Sequence, residues 1–145
     1  MTFKESVRTV LREKYATIEG RAPRSEYWWF FLFYLLVTFA LAPLDIALFG
    51  NGDVSPLSTI FGVLVLIPFV TVGVRRLHDR DMSGWWYLLI LIPLFGSLAL
   101  AVIFMLPGTQ GSNNFGSDPL DPTSGPGDDD LGLSQSSIPR VGRDD

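Results

Sequence analysis

Cysteine is missing altogether and histidine occurs once, at position 78. The first absence excludes disulfides and thiolate metal sites and leaves the redox compartment unread. The second excludes multi-histidine metal centres, since zinc sites need three or four protein ligands. Charge is scarce: 18% of residues carry one, against roughly 25% in soluble domains. It is also segregated. Between Tyr27 and Val74 only Asp45 and Asp53 are charged, and from Gly84 to Ser117 no residue is. A soluble core built from 145 residues has no use for such runs. No repeat, heptad array or glycine-rich phosphate loop occurs, so no nucleotide cofactor is expected. Residues 1–27 lack the apolar centre of a cleavable signal peptide. The net charge of −4 misleads, because much of the acid lies at the C-terminus.

What is there reads as membrane. Trp28–Leu44 is free of charge and reaches Phe49 if Asp45 sits near the far interface. Leu57–Val74 gives 18 uncharged residues, 12 of them Leu, Ile, Val or Phe, and Trp85–Leu106 gives 22. A crossing helix needs about 20 residues. Spans are therefore expected at about 28–49, 57–74 and 85–106, with a kink at Pro68. Ahead of them, Phe3, Val7, Val10, Leu11, Tyr15 and Ile18 recur at helical spacing, behind a Thr2–Glu5 capping box and up to a stop at Gly20. That predicts an amphipathic helix over residues 1–20 lying in the headgroup plane. Ser25 is the expected N-cap of the first span. Residues 120–145, rich in Gly, Pro and Asp, read as a disordered acidic tail. The expected architecture is all-α and integral to the membrane: an interfacial helix, three transmembrane helices over residues 21–119, and the tail.

Orientation follows from the basic residues. The N-terminal segment and the loop at 75–84 are basic and the loop at 50–56 is not, which predicts a cytosolic N-terminus and an external tail. Arg21, Arg24, Arg75, Arg76 and Arg80 then gather at one interface beside Trp28, Trp29, Trp85 and Trp86. Arginine forks match lipid phosphates, so anionic phospholipid headgroups are one expected partner. Alternatively Glu26, Asp79 and Asp81 pair with these arginines into a local cluster. His78 beside Asp79 invites a catalytic reading, with Ser83 nearby. Adjacent helical residues point apart, however, so the two are no preformed dyad, and an Arg75–Asp79 pair at four-residue spacing accounts for the aspartate. No catalytic residue, metal or cofactor is assigned. Asp45 is an acid close to hydrocarbon and hence a candidate by position.

Three motifs are similar to one family. They are Gly20-Arg21-x-x-Arg24-x-Glu26-Tyr27-Trp28, then Arg75-Arg76-Leu77-His78-Asp79-x-x-x-Ser83-Gly84-Trp85-Trp86, then Gly108-x-x-Gly111-x-Asn113-x-Phe115-Gly116-x-Asp118-Pro119. In this order, over about residues 15–119, they resemble the bacterial inner-membrane family catalogued as domain of unknown function 805. Asn114 stands where that family often has a basic residue. The resemblance implies a small multi-pass plasma-membrane protein without an established activity. The candidate cluster is then Arg21, Arg24, Glu26, Arg75, Arg76, His78, Asp79, Ser83 and Trp85, with Asn113, Phe115, Gly116 and Asp118 as a second motif. The expected function is non-enzymatic, through lipid or membrane-protein contacts or a homo-oligomer, with no nucleic acid. Other classes are an oligomeric transporter or channel subunit, and a lipid-modifying enzyme using His78 and Asp79. Three full spans separate the last motif from the other two. A re-entrant turn at Pro93–Gly96 would reunite them, but turns exposed to lipid at depth are disfavoured, so three spans are expected.

Overall fold

The structure, a computed structural model, describes residues 1–52 and 54–121. Most of the expected tail, and Asp53, lie outside the described residues. Among those described, regular structure is helical: α1 (Phe3–Arg8), α2 (Arg24–Phe49), α3 (Pro56–His78) and α4 (Phe95–Met105), with a 3₁₀ segment at Gly84–Leu91. At 1.5 Å per residue, α2 and α3 run about 39 and 35 Å, enough for a hydrocarbon core of about 30 Å. Both are long and apolar enough to cross a membrane; α4, with 11 residues, is shorter.

The capping box forms as expected. The Thr2 amide donates to Glu5 Oε2 at 2.7 Å, and Thr2 Oγ1 accepts from the Glu5 amide at 3.4 Å. The Thr2 amide, and after it the Thr2 hydroxyl, hold the Glu5 carboxyl below its ordinary value. Two other expectations fail. The first helix ends early: after Arg8 it widens into a π-type coil, Thr9–Glu13, so Tyr15 and Ile18 leave it. Within the protein its apolar stripe is partly covered, while Tyr15 and Ile18 stay exposed. Phe3 packs edge-on against Trp29, Val10 is fully buried, and Ser6 Oγ donates to the Glu26 carbonyl at 2.6 Å. The N-cap of α2 is Pro23, not Ser25, with no side-chain capping bond.

Pro68 lies inside α3 and lacks the amide that would bond the Leu64 carbonyl. Tyr15 supplies the substitute: its hydroxyl donates to Leu64 O at 2.6 Å. One turn on, Thr71 Oγ1 donates to the Tyr15 carbonyl at 3.2 Å. The chain after α1 is thus pinned along α3. At the other end Asp45 reaches from α2 to the start of α3. Its oxygens accept from the Leu57 amide at 2.8 Å, the Ser58 amide at 3.0 Å and the Ser58 hydroxyl at 2.7 Å. A carboxylate on free amides at a helix N-terminus has a structural purpose, and this one is buried.

The third apolar run is not one crossing helix. The 3₁₀ segment leads away from the His78 end, turns at Pro93-Leu94, and α4 leads back. Leu94 has φ 63° and ψ −64°, and the Phe95 amide bonds the Pro93 carbonyl at 2.8 Å, a γ-turn. Lipid exposure disfavours turns because backbone groups lose partners; here several of them keep one. Ile92, Gly96 and Leu98 donate to Leu89, Ile92 and Leu94, and Ser97 Oγ also bonds Leu94 O. Gly96 lets the two arms close, since a Cβ there would overlap the Leu89 carbonyl. An aromatic cluster of Tyr27, Phe30, Phe31, Phe69 and Phe104 ties α2, α3 and α4 together, with Tyr27 and Phe104 centroids 4.5 Å apart.

Candidate functional site

The hairpin returns residues 107–118 to the end where α2 begins and α3 finishes. The last motif therefore lies against the first two, which corrects the expectation of opposite faces. Its strap packs over the end of α3. The Thr109 amide donates to the Asp79 carbonyl at 2.8 Å. Asn113 Nδ2 donates to the His78 carbonyl at 2.8 Å and to Thr109 Oγ1 at 2.9 Å. Asn113 and Gly116 exchange backbone bonds, and Asp118 closes the loop by accepting from the Gly111 and Leu120 amides.

The arginines spend themselves on the chain. Arg21 Nε and Nη2 both lie 3.0 Å from Asp79 Oδ1. Its Nη1 and Nη2 also donate to the Gly111 and Thr109 carbonyls at 2.6 and 2.5 Å. Arg76 pairs with the other Asp79 oxygen and donates to the Leu106 carbonyl; its Nε reaches Phe104 O at 3.2 Å. Arg24 donates to Met105 O at 3.3 Å and Arg80 to Pro107 O at 2.7 Å. The carbonyls at a helix C-terminus have no partners within the helix. Here the guanidinium groups, with Trp28 Nε1 on Phe104 O at 3.4 Å, take over that duty for α4.

Arg75 behaves differently. The expected Arg75–Asp79 pair is absent; Arg75 Nη1 lies 2.6 Å from Glu26 Oε1, and both side chains are almost wholly buried. Arg75 Nε and Nη2 have no hydrogen-bond partner among the described residues. Glu26 and Asp79 thus do pair with the arginines, while Asp81 accepts from Asn114 Nδ2 at 3.0 Å. A basic residue at position 114 would meet that carboxylate, so the position faces an anion of the chain itself.

His78 and Asp79 diverge. The His78 ring stacks on Phe115, centroids 4.0 Å apart and planes within 6°, and its Nδ1 lies 3.3 Å from the Gly20 carbonyl. Ser83 Oγ accepts from the Trp85 amide at 3.4 Å, starting the 3₁₀ segment. Ser83 and Trp85 sit outside the ionic cluster; with His78 they line an open groove. Among the described residues no group of three or more His, Asp or Glu side chains is placed to hold a metal. Sequence reasoning missed Tyr15, Trp28 and Thr109 as partners. Pro68 is the one signal that could have pointed to Tyr15, because a proline within a helix advertises an unpaired carbonyl four residues back.

Comparison with known proteins identifies relatives of the chain. The family model described as "protein of unknown function (DUF805)" matches residues 15–117. Inner membrane protein YhaH of Escherichia coli K12 is 46% identical over 109 residues, covering 74% of this chain and 90% of that protein. Inner membrane protein YhaI of the same organism is 37% identical over 107 residues, covering 74% and 89%. Uncharacterized protein YiiR, also from that organism, is 30% identical, covering 72% and 87%. No solved structure matches the chain. The family model takes in all of the Arg21, Arg75–Asp79 and Asn113–Gly116 clasp, and the chain belongs to the DUF805 family of proteins of unknown function.

Proposed function

We propose that this chain is a non-enzymatic protein of the bacterial plasma membrane, held by α2 and α3 and acting through its basic, tryptophan-rich end. The observation that carries the reading is the use made of the motif residues. Asp79 is committed to Arg21 and Arg76, and His78 is stacked on Phe115, so the doublet is spent on building the clasp. Asp45 is spent likewise on capping α3, which removes the acid a transport path would use. Two relatives named as inner membrane proteins support the location.

Basic residues in α1 and at 75–80 favour a cytosolic position for this end. The strap shares that side, so the chain beyond residue 118 starts there too. What the end offers outward is exposed Lys4, Arg12 and Arg24, with Trp29, Trp85 and Trp86 exposed alongside. That rim suits anionic phospholipid headgroups, each basic residue near the surface contributing about 1 kcal/mol. The test is lipid retained after gentle solubilisation, read by native mass spectrometry. Lys4→Gln with Arg24→Gln should lower retained phosphatidylglycerol about tenfold or more relative to phosphatidylcholine. Unchanged retention would overturn the lipid reading.

A further inference from the structure

Four consecutive carbonyls, from Phe104 to Pro107, each accept from an arginine. Arg76 takes the first and third, Arg24 the second and Arg80 the fourth. Three guanidinium groups are thereby drawn onto four residues of chain, and Arg21 joins them through Asp79. The acids do not match this charge. Both Asp79 oxygens are held by Arg21 and Arg76. Among the described residues Arg24 and Arg80 have no ion pair. Each donates to its carbonyl through Nη1 alone, and Arg80 Nε is buried without a partner. Both lie near enough to Arg76 to oppose its charge. The carbonyls that hold them are two residues apart, where Cα atoms are separated by at most about 7.6 Å. Two unneutralised guanidinium groups thus stand as neighbours.

We infer that Arg24 and Arg80 bind one phosphate monoester between them. The inference rests on the anionic-lipid reading above and deepens it by naming the headgroup. Charge makes the selection. A phosphate monoester carries about −1.5 to −2 charge at neutral pH and three acceptor oxygens. That neutralises two guanidinium groups and meets a fork of each. A carboxylate or a phosphodiester brings one charge and two terminal oxygens, and so serves one fork. The room agrees. A cleft of about 150 Å³ opens beside Arg24, with Pro107, Thr109 and Gln110 on its walls. Small-molecule sites hold about 300 Å³ or more, so this cleft takes a headgroup and not a whole ligand. Asp79 and Asp118 also line it, and both are engaged: Asp79 by the arginines, Asp118 by the Gly111 and Leu120 amides. Met105 and Leu106 are exposed next to the pair, which suits a phosphate carrying acyl chains, a lipid of the phosphatidic-acid class. Inorganic phosphate offers the same group without the chains.

In the test, the full chain in dodecyl maltoside meets equal amounts of dioleoyl phosphatidic acid and dioleoyl phosphatidylglycerol. Native mass spectrometry counts the bound lipid. Phosphatidic acid should be favoured about tenfold, and Arg80→Gln should bring the ratio close to one. Arg80→Lys keeps the charge but not the fork and should lower the ratio about threefold; it decides the matter if Arg80→Gln does not fold. In a second arm, thermal unfolding is followed in sodium phosphate and in sodium sulfate at equal ionic strength. A preference for phosphatidic acid with equal midpoints in the two salts assigns a lipid. A higher midpoint in phosphate, lost in the Arg80 variants, shows that the free anion also serves. Neither response, or a response undiminished in the Arg80 variants, overturns the proposal. Both lipids are anionic, so their ratio is blind to a general attraction by the rim. The rim can fail with this ratio intact, and the ratio can fall to one while phosphatidylglycerol still exceeds phosphatidylcholine.

Discussion

Arg75 and Glu26 face each other where water is excluded, and neither can be removed alone without leaving a buried charge. Breaking a buried pair by removing one partner costs about 3–5 kcal/mol, whereas replacing both by apolar groups is often neutral. Arg75→Met should therefore lower thermal stability in detergent sharply, and Arg75→Met with Glu26→Leu should recover most of the loss. A single variant as stable as the parent protein would show the pair to be wet. The residues of this cluster were legible in the sequence, but their pairing was not. Spacing rules offered Asp79 to Arg75. The structure gives it to Arg76, three positions back, and to Arg21, 58 positions away. Nothing local distinguishes these options, because the choice is made by where α2 begins relative to the end of α3.

At the scale of elements, side chains repair what the backbone lacks. Tyr15 mends α3 at Pro68, Asp45 caps it from α2, and the arginines close α4. Tyr15→Phe removes one donor and leaves Leu64 O without it. Polar bonds within membranes are worth about 0.6–1.7 kcal/mol, so the substitution should cost about 1 kcal/mol. The same substitution in a Pro68→Ala background should cost much less, because alanine restores the helical amide. Chemical unfolding of the four proteins measures both differences, and equal costs in the two backgrounds would refute the pairing. The two long helices were legible because uncharged length is the signal a membrane span leaves. Their ends were less so: α2 starts at Arg24, four residues before Trp28, and its first turn carries Glu26, buried against Arg75.

The molecule as a whole is a helical hairpin with a shorter, bent arm laid beside it and a strap that locks the arm's two ends together. Hydropathy showed that residues 85–106 are apolar; it did not say whether they cross. The Leu94 γ-turn reverses the chain while local bonds pair several of its backbone groups, and apolar composition carries no trace of that. Absence of cysteine makes the arrangement easy to check. With single cysteines placed at Lys4, Asn51 or Gln110, an impermeant thiol reagent should label positions 4 and 110 from one side and position 51 from the other. Label reaching 51 and 110 together would restore a full third crossing. The bond between Tyr15 and Leu64 has one more consequence, in the order of synthesis. Tyr15 leaves the ribosome 49 residues ahead of the carbonyl it serves. Every nascent chain therefore passes through a stage in which Tyr15 has been made but the carbonyl it serves has not.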